Sequence, residues 1–151
     1  MSKVAIVFWS ATGNTETMAN CIAEGAGANG TIVPCAEMTP AKLAEFDVVA
    51  SGCPAMGAEQ LEESEFEPMF SDLEGSLNGK KIALFGSYGW GDGEWMRSWE
   101  KDCDDSGIRL VCESVTCCEA PDDAALDACR ALGKELSLIH ISEPTRRSYI
   151  S

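Results

Sequence analysis

Val4-Ala5-Ile6-Val7-Phe8, then Ser10-Ala11-Thr12-Gly13-Asn14-Thr15, then Glu16-Thr17-Met18-Ala19-Asn20-Cys21-Ile22: these three runs decide how the rest of the chain is read. The first is apolar throughout, the pattern of a strand covered on both faces. The last carries Met18 and Ile22 at helical spacing. A strand that turns through small hydroxyl residues into a helix makes an anion seat. The first amides of a helix have no partner inside it, and its dipole favours negative charge there. Ser10, Thr12 and Thr15 add hydroxyl donors, Asn14 adds an amide, and Gly13 lets the backbone turn sharply. With no Lys or Arg in the loop, neutral donors have to hold the anion. The loop is neither a Walker loop, which needs Gly-Lys-Ser/Thr, nor a dinucleotide fingerprint, which needs three spaced glycines. The same residues also suit plain capping and turning with no ligand.

Outward from this stretch, strand and helix keep alternating. The helix over residues 14–26 puts Met18, Ile22 and Ala26 on one face, and Gly25, Gly27 and Gly30 are expected to end it. Thr31–Cys35 reads as a second strand. Thr39 then caps a short helix with Pro40 at its first position. Asp47–Ser51 is a third strand, residues 52–62 a long loop, and 64–77 a helix with Pro68 near its start. Lys81–Ser87 is a fourth strand, followed by the glycine-rich loop Tyr88-Gly89-Trp90-Gly91-Asp92-Gly93 and a helix over 94–105. Ile108–Cys112 is a fifth strand that resumes near Ser114–Thr116. Pro121-Asp122-Asp123 opens a last helix with Leu126, Cys129 and Leu132 inward. This order predicts an α/β fold: one five-stranded parallel sheet, helices on both faces. Ligands of such sheets bind outside the carboxyl ends of the strands, where strand order reverses. The loops at 10–15, 52–62 and 87–93 all follow strands and so share that edge.

A length of 151 residues suits one domain with a core of its own. The net charge of −14 argues against nucleic acid and anionic membrane as partners, and for basic protein surfaces or simple solubility. Eight cysteines could suggest disulfides, but no secretory segment opens the chain and no Cys-x-x-Cys pair occurs. Cytoplasmic location, reduced thiols and no metal site are therefore expected. No apolar run approaches a membrane span.

A phosphate seat beside two apolar or aromatic loops suits a phosphorylated planar ligand. Trp90, flanked by Gly89 and Gly91, is free to lie flat on a ring, and Met56 offers a soft thioether to the other face. Core packing or a plain turn would account for each residue taken singly.

The runs Trp9–Glu16, Gly52–Gly57, Leu61–Pro68 and, longest, Gly79–Arg97 closely resemble the short-chain flavodoxins of anaerobic bacteria, the clostridial type, over residues 3–135. The resemblance implies a flavodoxin-like strand order 2-1-3-4-5 and non-covalent FMN. It implies a low-potential one-electron carrier rather than an enzyme, working between redox enzymes in place of ferredoxin. It implies phosphate contacts from Ser10, Ala11, Thr12, Gly13, Asn14 and Thr15, and an isoalloxazine between Met56 and Trp90. Pro54 belongs to the same cofactor site, and ring-edge contacts come from Ala55, Met56, Gly57, Ala58 and Glu59 and from Ser87, Tyr88, Gly89, Trp90 and Gly91. Glu59 accepts the flavin N3–H, and the Gly57–Ala58 peptide turns its carbonyl toward N5 when that atom is protonated. Implied partners are redox enzymes with basic docking surfaces, of the ferredoxin-type oxidoreductase class, met by a monomer. Ala11 and Ala58 depart from the residues usual there, Gly and a polar residue. Two other readings compete: an FMN-dependent reductase on the same scaffold, and a ligand-free signalling receiver. The receiver would want an acidic pair after the first strand, where Trp9-Ser10 stands.

Residues 136–151 stand apart. Leu136–Arg146 spells one reading frame of a transposase-type sequencing adapter, so residues 1–135 are expected to be the domain and 136–151 a scar replacing the end of its last helix. That stretch holds one Glu and two Arg, so the domain alone carries −15. His140, the sole histidine, falls inside it.

Overall fold

The computed structural model describes residues 3–9, 13–54, 65–77, 80–88, 94–112, 114–118 and 120–138. Strand and helix alternate as β1 (Val4–Phe8), α1 (Asn14–Ala26), β2 (Gly30–Pro34), α2 (Pro40–Leu43), β3 (Val48–Gly52), α3 (Phe66–Leu77) and β4 (Lys81–Tyr88). They continue as α4 (Glu94–Asp105), β5 (Arg109–Leu110), β6 (Val115–Cys118) and α5 (Asp123–Leu138). The sheet is parallel in the expected order β2-β1-β3-β4-β5. From β1 the chain steps to one side for β2 and then to the other for β3, so strand order reverses at β1/β3.

The fifth position is divided. Both β5 and β6 pair with β4, with Lys81 opposite Arg109 but Phe85 opposite Val115. Between the Ile82–Leu110 and Phe85–Val115 pairings β4 advances by three residues and its neighbour by five, an excess of two that splits the strand in the manner of a bulge. The Val111 amide still donates to the Ile82 carbonyl at 3.0 Å.

Alternate strand residues feed two cores, as the two-residue period of a strand requires. Val4, Ile6, Val48, Ala50, Ala83 and Phe85 pack with Met18 and Ile22 of α1 and Cys129 and Leu132 of α5. Ala5, Val7, Val49, Ile82 and Leu84 pack on the opposite face with Leu43 of α2, Phe66 and Phe70 of α3, and Trp95 and Trp99 of α4. The helix starts follow their caps. Thr39 Oγ1 accepts the Lys42 amide at 3.1 Å, with Pro40 first in α2. Asp122 Oδ1 accepts the Ala125 amide at 2.8 Å.

Two glycines expected to end α1 do other work. Gly27 is the terminator, at φ 64. Gly25 lies inside the helix, where a Cβ would run into the Arg130 carbonyl of α5, and Gly133 in turn faces the Ile22 carbonyl. Close approach of two backbones, not termination, explains Gly25. Gly30 opens β2. Helix α5 runs three residues past the expected boundary at 135. Leu136, one turn after Leu132, is fully buried, whereas Leu138 is 54% exposed. Residues 139–151 lie outside the described residues.

Candidate functional site at the β1/β3 edge

The carboxyl ends of β1, β3 and β4 lie side by side: Phe8 pairs with Gly52, and Gly52 with Phe85. The Trp9 amide extends this ladder, donating to the Gly52 carbonyl at 3.1 Å. Of the expected site residues, Gly13, Asn14, Thr15, Pro54, Ser87 and Tyr88 are described, and all six belong to segments leaving this edge. Ser10, Ala11, Thr12, Ala55, Met56, Gly57, Ala58, Glu59, Gly89, Trp90 and Gly91 lie outside the described residues.

Helix α1 begins from Gly13 in the left-handed conformation, φ 93, ψ −9. Glycine reaches that region without the Cβ clash other residues suffer, and it brings no side chain to cap the helix. The Gly13 carbonyl is taken by Thr17, whose amide donates at 2.9 Å and hydroxyl at 2.8 Å. Thr15 and Ser87 are buried, and their hydroxyls stand 3.4 Å apart. This is longer than the usual separation of two bonded hydroxyls, and each can serve a further partner. The first and third loops thus meet at a hydroxyl pair beside a helix start. A helix N-terminus with neutral hydroxyls is the donor set that suits a phosphate. On that chemistry the described part of the site fits a phosphate-bearing cofactor.

The exits of β3 and β4 are fixed by contacts that sequence reading did not single out. The Cys53 amide donates to the Phe85 carbonyl at 3.2 Å, and the Cys53 carbonyl accepts the buried Trp95 indole N–H at 3.1 Å. Gly86 makes room for this, since a Cβ there would strike the Cys53 carbonyl oxygen. Tyr88 packs its ring on Trp95, centroids 5.5 Å apart. The Trp9 indole donates to Glu65 at 3.1 Å, just before α3. A buried tryptophan usually finds an acceptor for its N–H, but the sequence does not tell Trp95 from Trp99, whose buried Nε1 has no hydrogen-bond partner among the described residues; the acceptor of Trp95 is a tertiary fact.

Alongside Tyr88, a groove of about 460 Å³ opens between β6 and α5, lined by Thr116, Cys117 and the small side chains Ala124, Ala125 and Ala128. All eight cysteines are free thiols. Burial pushes the Cys117 thiol up to about 11 and the Cys129 thiol up to about 12, so both are protonated at neutral pH and are poor nucleophiles. No helix among the described residues is long and apolar enough to cross a membrane.

Residues 6–133 match the family model described as Flavodoxin. The chain is 46% identical to a flavodoxin of Megasphaera elsdenii over 134 residues, covering 87% of this chain and 96% of that one. It is 44% identical to a flavodoxin of Clostridium beijerinckii, over 89% of this chain and 99% of that one. The fold superposes on the solution structure of two-electron reduced Megasphaera elsdenii flavodoxin with a TM-score of 0.82 at 45% identity, covering 90% and 99% of the two chains.

Proposed function

Because the chain belongs to the flavodoxin family, we propose that it serves as a low-potential one-electron carrier between redox enzymes, in the place a ferredoxin would take. Flavodoxins are FMN-binding electron-transfer proteins rather than enzymes, and FMN is the cofactor here. The flavin supplies the capacity to take up and release electrons singly. The protein supplies a seat and an environment. Gly13, Asn14 and Thr15, with Ser10, Ala11 and Thr12 before them, hold the phosphate through amides and hydroxyls. Met56 and Trp90 enclose the ring. Pro54, Ala55, Gly57, Ala58 and Glu59 line one edge, and Ser87, Tyr88, Gly89 and Gly91 the other. Gly57 lets its peptide present a carbonyl to a proton at N5, at little steric cost. The observation that carries this reading is the meeting of a glycine-capped helix start with the buried Thr15–Ser87 hydroxyl pair at the β1/β3 reversal.

The partners are redox enzymes. Their docking surfaces are basic and of the ferredoxin-type oxidoreductase class, a reading supported by the net charge of −14 and by exposed acids such as Glu65, Glu94, Asp102 and Asp104. Opposite charge steers encounter, and salt screens it within about 8 Å at physiological ionic strength. The eight free thiols suit the cytoplasm. Residues 1–135 form the functional unit, and 136–151 are an adapter-derived addition. Acid release of the cofactor from the purified protein tests the reading: FMN is expected, and FAD or riboflavin would overturn it.

A further inference from the structure

We propose that Trp95 is a positioning residue for the flavin ring, a role that rests on the electron-carrier reading above. Trp95 is 1% exposed, in the first turn of α4, and it touches the exits of two strands at once. Its Nε1 donates to the Cys53 carbonyl at 3.1 Å, at the end of β3. Its ring lies 5.5 Å from that of Tyr88, the last residue of β4. Gly86 of β4 lies against the same indole and the same carbonyl. The Cys53 peptide is therefore held on both sides: its amide by the Phe85 carbonyl at 3.2 Å, its carbonyl by the indole. Pro54 follows directly and adds the stiffness of a fixed φ.

One buried side chain thus fixes the spacing between Cys53-Pro54 and Tyr88, two strand exits that feed the cofactor site from either side. The indole nitrogen is the part that matters. A phenyl ring would keep most of the packing while removing the indole donor from the Cys53 carbonyl, and loss of a buried hydrogen bond drives local rearrangement. A purely structural tryptophan would affect global stability alone. A positioning tryptophan also affects how differently the site treats the oxidation states of the flavin.

Trp95→Phe is the test, on the full chain loaded with FMN. The FMN dissociation constant should rise roughly three- to tenfold, the scale of one net hydrogen bond. At saturating FMN the separation between the two one-electron potentials should narrow by about 28–59 mV, the same factor at 59 mV per tenfold. Trp95→His, which restores a ring N–H, should recover part of both. An unchanged dissociation constant, or an unchanged separation alongside a lowered urea midpoint, overturns the proposal. Should Trp95→Phe fail to fold, hydrogen exchange of the indole N–H groups in the wild-type protein decides: slowing of Trp95 on FMN addition beyond that of the buried Trp99 supports the role, and equal slowing of the two, the general effect of ligand binding, overturns it. Wild-type protein that takes up no FMN would instead overturn the electron-carrier reading itself.

Discussion

Replacing Gly86 with alanine should weaken the fold and the FMN site together. The new Cβ would fall inside contact distance of the Cys53 carbonyl oxygen and 3.1 Å from the Trp95 ring. The tryptophan is buried among α4 and sheet residues and has little room to retreat. The carbonyl must therefore move, and its 3.1 Å bond from the indole is stretched or lost. Overpacking costs roughly 1–3 kcal/mol, and the displaced hydrogen bond adds roughly 0.5–1.5 kcal/mol. The sum is roughly 1.5–4.5 kcal/mol, which in a domain of this size lowers Tm by roughly 3–18 °C. Because Pro54 follows Cys53, FMN affinity should fall by about tenfold, equivalent to ~1.4 kcal/mol passed on to the site. Gly27→Ala is the control. Its φ of 64 makes alanine strained, but nothing lies within 4 Å of a Cβ there, and it sits at the far end of α1. It should cost about 1–2 kcal/mol of stability and leave FMN affinity alone. Thermal melts of the apoprotein and fluorescence titration with FMN read both quantities. A Gly86→Ala protein with wild-type Tm would show that the Cys53 carbonyl yields freely, and lowered Tm with unchanged FMN affinity would show that its position does not reach the FMN site.

Three further outcomes are expected. Trp90→Ala should weaken FMN binding by roughly 1–3 kcal/mol, the scale of a planar stacking contact; an unchanged dissociation constant would show that Trp90 does not face the ring. Burial raises the Cys129 thiol from 9.0 to about 12. A thiol with a raised folded-state pKa favours the folded state fully below pH 9.0 and loses that contribution as pH climbs toward 12. Urea midpoints should thus fall over that range, less steeply in Cys129→Ala, and parallel slopes would contradict the assignment. A chain ending at Leu138 should keep its flavin and stability, whereas one ending at residue 135 gives up the burial of Leu136, roughly 1.5–3 kcal/mol; equal urea midpoints for the two would show that Leu136 adds nothing.

Much of this fold was legible because local signals and tertiary packing agree. The apolar run Val4–Phe8, the glycine at 13 and the Met18/Ile22 spacing set the limits of β1 and α1, and both lie where expected. The Thr39-Pro40 start of α2 was equally readable, since cap and proline act within one turn. What escaped depends on distant neighbours. Gly25 looked like a helix stop, yet its reason is a carbonyl of α5 more than a hundred residues away in sequence. The fifth strand resumes after a break, as its sequence suggested, but the excess of two residues at that break is set by register against β4, which no window on residues 108–118 contains. Trp95 carried no signal of its own in the sequence, because its bond to Cys53 exists only once β3 and β4 are side by side. Within the site, the helix start at Gly13 was readable because strand, glycine and helix follow one another in the chain, whereas the Thr15–Ser87 pairing needed the sheet.

The most direct test of the central claim is a stepwise reductive titration, followed by absorbance, of the purified protein reconstituted with FMN. One FMN per chain, reduced in two separate one-electron stages, is the predicted result. A protein that takes up no flavin, or one in which both electrons enter in a single stage, would contradict the account.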